Sequence, residues 1–416
     1  MSVVTAEILE KAVNENGQIQ NISTTDLCGI GENFASNLHD VKFEVIDKNG
    51  EIKNYCFVVK YPNKKSFMYQ AVVMVNGYKK ETAIYSKLMP DALDWQLKTF
   101  GNVKHELPVA KAYYCGDDDD IIIMENLKEK DFCVKPRQIG RNYEECKALV
   151  QALAKFHGII LAYSQENFET NEAFLEKYPF VKGPPEEVLK AMYEPPDMME
   201  RKKNLLTPIV TNLKGDCESI NNAVDKYLQY AMSSIVTKNT KLFMMMNDEF
   251  NVVCHGDLWN NNIMYSSDVL GNDMQCKLID LQIIKFCSPA SDLTQFIWCS
   301  ASIDVLRNHR EDLIKIYYES LQEVMTDLKS ELKFSFQQLW SHFEGLYDIG
   351  LNTAIMAGVM MFAPKEQATS ANREDADNDP MLEIIKVVKR LMENADKSVI
   401  SRLTSLIEVG QQIKLY

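Results

Sequence analysis

The sequence predicts an α+β protein of two lobes, an antiparallel sheet first and a mainly helical body after it. Three observations carry this. The early chain alternates apolar and polar residues and turns at the hairpin signal Asn49-Gly50. Beyond Leu127 the apolar period becomes that of amphipathic helices. Within the helical part lies one short strand-turn-strand piece, Val252 to Gln282, dense in oxygen-bearing side chains.

Taken in order, Ala6 to Val13 reads as a short helix. Asn21 to Gly29 reads as a strand running into Gly29-Ile30-Gly31-Glu32-Asn33. Val41 to Ile46 and Tyr55 to Tyr61 are the arms of the Asn-Gly hairpin, and Pro62 stops the second. Met68 to Leu88 is helical. Val109 to Tyr114 and Ile121 to Met124 are strands joined by Gly116 and the aspartates Asp117 to Asp120. Tyr143 to Leu161 is a long amphipathic helix. Proline pairs at Pro184-Pro185 and Pro195-Pro196 interrupt the pattern, which resumes through Ser219 to Lys238, Ser291 to Ala363 and Met381 to Ile407. Lys365 to Asp379 is polar and acidic and reads as a mobile loop. The expected division is a sheet lobe over 1–124, a connector over 125–130 and a helical lobe over 131–416.

Composition bounds the function. The chain has 416 residues, 46% of them apolar, so a sizeable core is available. A net charge of −14 argues against a non-specific nucleic-acid binder. It leaves phosphate binding open, since local cations and a metal can cradle phosphates in an acidic protein. None of the ten cysteines forms a Cys-x-x-Cys pair, and most sit among apolar residues, which reads as free thiols in a reducing compartment. Met1 to Gln18 lacks the apolar core of a signal peptide, and no long uncharged apolar run predicts a membrane helix. A cytoplasmic protein, monomeric or weakly self-associating and without membrane insertion, is expected.

The strand-turn-strand piece carries the strongest chemical signal. An apolar run, Val252 to Cys254, leads into His255-Gly256-Asp257, and Asn262 follows five residues after Asp257. Ile263 to Tyr265 and Met274 to Ile279 read as two strands around a turn, with Asp280 just after the second. In a hairpin, Asn262 and Asp280 lie side by side at the open end. Their oxygens suit Mg²⁺, which takes one or two carboxylates plus substrate phosphates. Asp257, on the loop feeding in, can accept a proton from a hydroxyl. His255 is assigned to structure, its imidazole tying the loop to the backbone near Asp280.

A sheet lobe, a short connector and a helical lobe with a metal hairpin make up the protein-kinase-like fold. That fold assigns further residues. Lys60 lies in an apolar strand and needs an anionic partner, which makes it the phosphate lysine; the other reading is a strand-end lysine reaching out to water. Glu81 is the only acidic residue between Glu51 and Asp91, so it is the candidate to pair with Lys60. Gly29, Gly31 and Asn33 form a candidate phosphate loop, since glycine permits close backbone approach. Glu125-Asn126-Leu127 resembles that fold's hinge, where the backbone of Glu125 and Leu127 would hold adenine; the other reading is a plain strand end. Asp292 is either a helix cap or an acceptor for the amides of the 255–257 loop. His157 reads as a satisfied core histidine.

The wording His255-Gly-Asp-Leu-Trp with Asn262-Ile-Met, then Lys277-Leu-Ile-Asp-Leu-Gln, resembles the choline-kinase and aminoglycoside-phosphotransferase branch of that fold. Within it, the chain most resembles the ecdysteroid-kinase-like family of insects, over nearly its whole length. The resemblance implies that Asp257 is the catalytic aspartate and that Asn262 and Asp280 bind Mg²⁺. Leu281-Gln282 stands where protein kinases have Phe-Gly, which argues against a protein substrate. The expected activity is an ATP- and Mg²⁺-dependent kinase acting on a hydroxyl of a lipophilic alcohol, an ecdysteroid-like steroid or a xenobiotic. A choline-type amino-alcohol kinase and a catalytically silent ligand-binding protein are the alternatives.

Overall fold

In a computed structural model, the described residues are 4–13, 17–27, 36–66, 68–116, 118–184, 187, 196–233, 243–266, 274–363 and 379–416. The candidate phosphate loop at Gly29, Gly31 and Asn33 lies outside them, as does all of the expected 365–379 loop except Asp379. Helix α1 (Ala6–Glu10) precedes three strands, β1 (Gly17–Asp26), β2 (Ser36–Asp47) and β3 (Ile52–Pro62). The β2–β3 turn follows from its residues. Asp47 Oδ1 accepts from the Asn49 and Glu51 amides at 2.8 and 2.9 Å. Gly50 takes a φ of +82°, open to glycine at little cost.

Three helices follow, α2 (Tyr69–Met74), α3 (Gly77–Ala83) and α4 (Met89–Phe100), the last two joined by a π-helical turn at Ile84–Leu88. The single helix expected over 68–88 is therefore broken. The break falls at Asn76, whose φ of 55° is left-handed and which Gly77 follows. Asparagine tolerates that conformation better than most side chains. Strands β4 (Ala112–Cys115) and β5 (Ile122–Glu125) complete an antiparallel sheet in the order β1-β2-β3-β5-β4. The pleat divides its faces. Val41, Phe43, Val45, Phe57, Val59 and Ile123 form a small core with Leu9 of α1. Val58, Ile122 and Met124 join the large core of the helical part.

The helical part begins with α5 (Tyr143–Asn167), started by a reciprocal Asn142–Glu145 capping box. Helices α6 (Asn171–Lys177), α7 (Met198–Leu213) and α8 (Glu218–Ser233) follow. Strands β6 (Val252–Cys254), β7 (Ile263–Ser266), β8 (Gln275–Leu278) and β9 (Lys285–Cys287) come next. The remaining helices are α9 (Ala290–Ser300), α10 (Ile303–Asn308), α11 (Arg310–Asp327), α12 (Phe336–Glu344), α13 (Tyr347–Phe362), α14 (Pro380–Glu393) and α15 (Lys397–Gln412). The expected hairpin is β7–β8, paired from Ile263↔Leu278 to Ser266↔Gln275. Strand β9 was not expected; its three residues give too short a pattern. It pairs antiparallel with β6 and so brackets the 255–257 loop.

Two backbone contacts seat the hairpin. The Leu278 amide donates to Pro108 O at 2.7 Å, just before β4. Cys133 and Tyr265 exchange amide-to-carbonyl bonds at 2.9 and 2.8 Å. No disulfide joins the cysteines among the described residues. No single helix among those residues is long and apolar enough to cross a membrane.

Candidate active site

Lys60 stands on the sheet face turned toward the hairpin. Its Nζ donates to Glu81 at 2.8 and 2.7 Å and to Asp280 Oδ1 at 2.8 Å. Helix α3 brings Glu81, and Asp280 is the second residue after β8. Glu81 Oε1 also accepts from the Leu281 amide at 3.1 Å. One buried ammonium thus joins strand, helix and hairpin. Asp280 has a φ of 66°, a left-handed conformation that aspartate tolerates and that turns the chain sharply out of β8.

The loop after β6 is built from both sides. Gly256 has a φ of +82°, and a Cβ there would overlap the Ile283 carbonyl. His255 Nε2 lies 2.9 Å from Ile279 O, tying the loop to the backbone beside Asp280. Asp292, in the first turn of α9, accepts from the His255 and Gly256 amides at 2.6 and 2.8 Å. It therefore holds the loop rather than acting as an ordinary cap. His157 is buried and contacts Asp292, as a core histidine would.

Asp257 projects from this loop. Asn262 Nδ2 donates to its backbone oxygen at 2.8 Å and to its Oδ2 at 3.0 Å. Both of these bonds use the Asn262 nitrogen and leave its amide oxygen available. The Ile279 amide donates to Asn262 O at 3.0 Å, which sets Asn262 and Asp280 at the same end of the hairpin. Sequence reasoning missed Gln295, whose Nε2 donates to Asp257 Oδ1 at 3.1 Å. The available signal was its spacing: Gln295 is three residues beyond Asp292, on the same face of α9. It also missed Gln282, whose Nε2 reaches Ser36 Oγ at 2.7 Å.

Charge in this cluster is unbalanced. Burial works to lower the Lys60 pKa, but Asp280 and Glu81 outweigh it and hold the ammonium above its usual range. Glu81 is raised, by burial first and by Asp280, against the opposing pull of Lys60. Both are raised, which favours the charged form of Lys60 and disfavours that of Glu81. For Glu81, burial and Asp280 outweigh the pull of a cation shared by two carboxylates. Asp257 is raised as well, by burial and by Asp280, against His255, Asn262 and Trp259. The ammonium meets two carboxylates and a third, Asp257, interacts with Asp280, which leaves an excess of negative charge at a place offering hard oxygen donors. Such a donor set fits a divalent cation of the Mg²⁺ type.

Glu125 and Leu127 flank the exit from β5. The Glu125 side chain accepts from the Lys111 amide at 2.8 Å and meets Lys130 Nζ at 2.5 Å, so the strand end is pinned. The Leu127 amide opens the turn Leu127–Lys130, where helical geometry supplies no internal acceptor for it.

A family model described as the ecdysteroid kinase-like family matches residues 30–330. Comparison with curated proteins finds no match. The family match spans more than half of the chain, from before β2 to beyond α11. With its antiparallel sheet and mostly helical remainder, the chain is a small-molecule kinase-like protein that belongs to the ecdysteroid kinase-like family.

Proposed function

We propose that the protein transfers a phosphoryl group from ATP to the hydroxyl of a small lipophilic alcohol, with Mg²⁺ as the metal. The observation that carries this is the joining of Glu81, Lys60 and Asp280 beside an Asp257 held by side-chain amides on both oxygens. In this reading ATP lies between a sheet lobe over 1–124 and a helical lobe over 131–416, with the 125–130 connector at its base. The Glu125 carbonyl and Leu127 amide offer adenine one acceptor and one donor. Lys60 binds the phosphates, and Glu81 keeps the lysine in place. Asn262 and Asp280 would hold Mg²⁺, which supplies positive charge against the transferred group. Asp257 orients the acceptor hydroxyl and takes its proton. Positioning carries most of such chemistry, so no covalent intermediate on the protein is invoked.

A lipophilic acceptor is supported by α13, which packs against α9 and has Met356, Met360 and Met361 half-buried. Methionine lines adaptable apolar sites. The test is incubation with Mg·ATP and a panel of steroid, phenolic and amino alcohols, read by the mass shift of one phosphate. Transfer to a steroid or phenol that Asp257→Asn abolishes supports the reading. Wild-type-like transfer by Asp257→Asn overturns the roles. An absence of any Mg²⁺-dependent thermal shift with ATP overturns the activity.

A further inference from the structure

We propose that Gln295 is a positioning residue for this reaction, holding the Asp257 carboxylate in the orientation that receives the acceptor hydroxyl. The inference rests on the kinase reading of Asp257. Helix α9 meets the loop at two points one turn apart. Asp292 fixes the loop backbone through the His255 and Gly256 amides. Gln295 fixes the side chain, donating from Nε2 to Asp257 Oδ1 at 3.1 Å. Asn262 Nδ2 takes the other oxygen at 3.0 Å. With an amide donor on each oxygen, the carboxylate cannot turn about its last torsion without losing one of them. That torsion is otherwise broad and soft. A fixed plane matters because transfer requires the hydroxyl within hydrogen-bond reach and in line with the phosphoryl group.

The far end of the same side chain shows why the residue is there. Gln295 is 8% exposed, and its Oε1 is buried with no hydrogen-bond partner among the described residues. An ionised carboxylate only accepts, so the amide nitrogen must face Asp257 and the oxygen must face away. A buried acceptor left unsatisfied is unfavourable, whereas an apolar side chain of similar length carries no such penalty. Leu293, Phe296 and Ile297 of α9 are apolar side chains of that kind and are fully buried. A glutamine that weakens the core while gripping a reacting group is expected where function overrides stability.

Two substitutions test this. Gln295→Met removes the donor and keeps the volume; Gln295→Glu sets an acceptor against Asp257. For Gln295→Met the expected results are an equal or higher melting temperature and a crystal structure with the Asp257 carboxylate rotated. Mg·ATP turnover, with water or alcohol as acceptor, should fall about tenfold in kcat at unchanged KM for ATP. Gln295→Glu should lose more in kcat. Wild-type kcat with an unmoved Asp257 in Gln295→Met overturns the inference, and so does a lower melting temperature with a raised KM and unchanged kcat. A wild-type protein without Mg·ATP turnover counts against the kinase reading alone. The Asp257 rotamer and the melting temperature then still decide for or against Gln295.

Discussion

His157 Nε2 lies 3.1 Å from Asp292 Oδ2, and both side chains are fully buried. Burial keeps the imidazole neutral by lowering its pKa. Burial would raise the Asp292 pKa, but the His157 hydrogen bond and charged or donor neighbours more than reverse it. The pair is therefore a neutral donor on an ionised acceptor, with His157 Nδ1 accepting from the Tyr317 hydroxyl at 2.7 Å. As pH falls below about 6.5, the unfolded chain takes up a proton that native His157 refuses, and stability declines. Asp292 adds to the decline only at more acid pH, as its own depressed pKa is crossed. In His157→Phe the decline between about pH 6.5 and 5 should disappear. The variant should also lose about 1–3 kcal/mol at pH 7 by leaving Asp292 a donor short. Urea unfolding at several pH values measures both, and an unchanged slope refutes the assignment.

Lys80 gives the same sign at the alkaline end. It is buried beside Glu81 but turned away from it, donating to Lys182 O and Ile284 O at 3.1 and 3.0 Å. Burial first, and Lys285 second, lower its pKa from 10.5 to about 8. Between those values the unfolded chain holds a proton that the native chain has lost, so stability should rise with pH through that window. Lys80→Met should abolish the rise. Thermal or urea unfolding from pH 8 to 10 tests it.

The clash at Gly256 predicts a loop that tolerates no side chain. Gly256→Ala combines a left-handed φ with overlap of the Ile283 carbonyl. The expected cost is about 2–4 kcal/mol, with the loop displaced from Asp292. Circular-dichroism melting gives the cost. A variant as stable as the parent would show that the loop adjusts freely.

Removing the shared cation should expose the charge imbalance directly. Lys60→Met leaves Glu81 buried with no counter-charge, which costs about 3–5 kcal/mol at pH 7. The cost should shrink as pH falls, because the raised Glu81 carboxyl then takes up a proton and becomes neutral. Comparing unfolding free energies at pH 7 and pH 5 reads the difference. An equal loss at both values would mean that Glu81 stays charged without Lys60.

What could be read from the chain tracks how local each signal is. Asn262 and Asp280 bracket one hairpin, so a pattern of short strands was enough to set them together. Lys60 was legible as a cation among apolar strand residues. The break at Asn76-Gly77 was written in the sequence, but helical periodicity on both sides masked it. The spacing of Gln295 from Asp292 was legible, but only the docking of α9 on the loop decides which way its amide points. The same holds for His157 and Asp292, which meet across 135 residues of chain. Three-residue β9 carries too little pattern to be seen without its partner β6.

The bond from the Leu278 amide to Pro108 O has a mechanical consequence. It ties the hairpin to the chain leading into β4, and further bonds run from Lys60 to Asp280 and from Gln282 to Ser36, where β2 and β3 pair at Ser36 and Pro62. A wide opening of the sheet away from the hairpin must break all three.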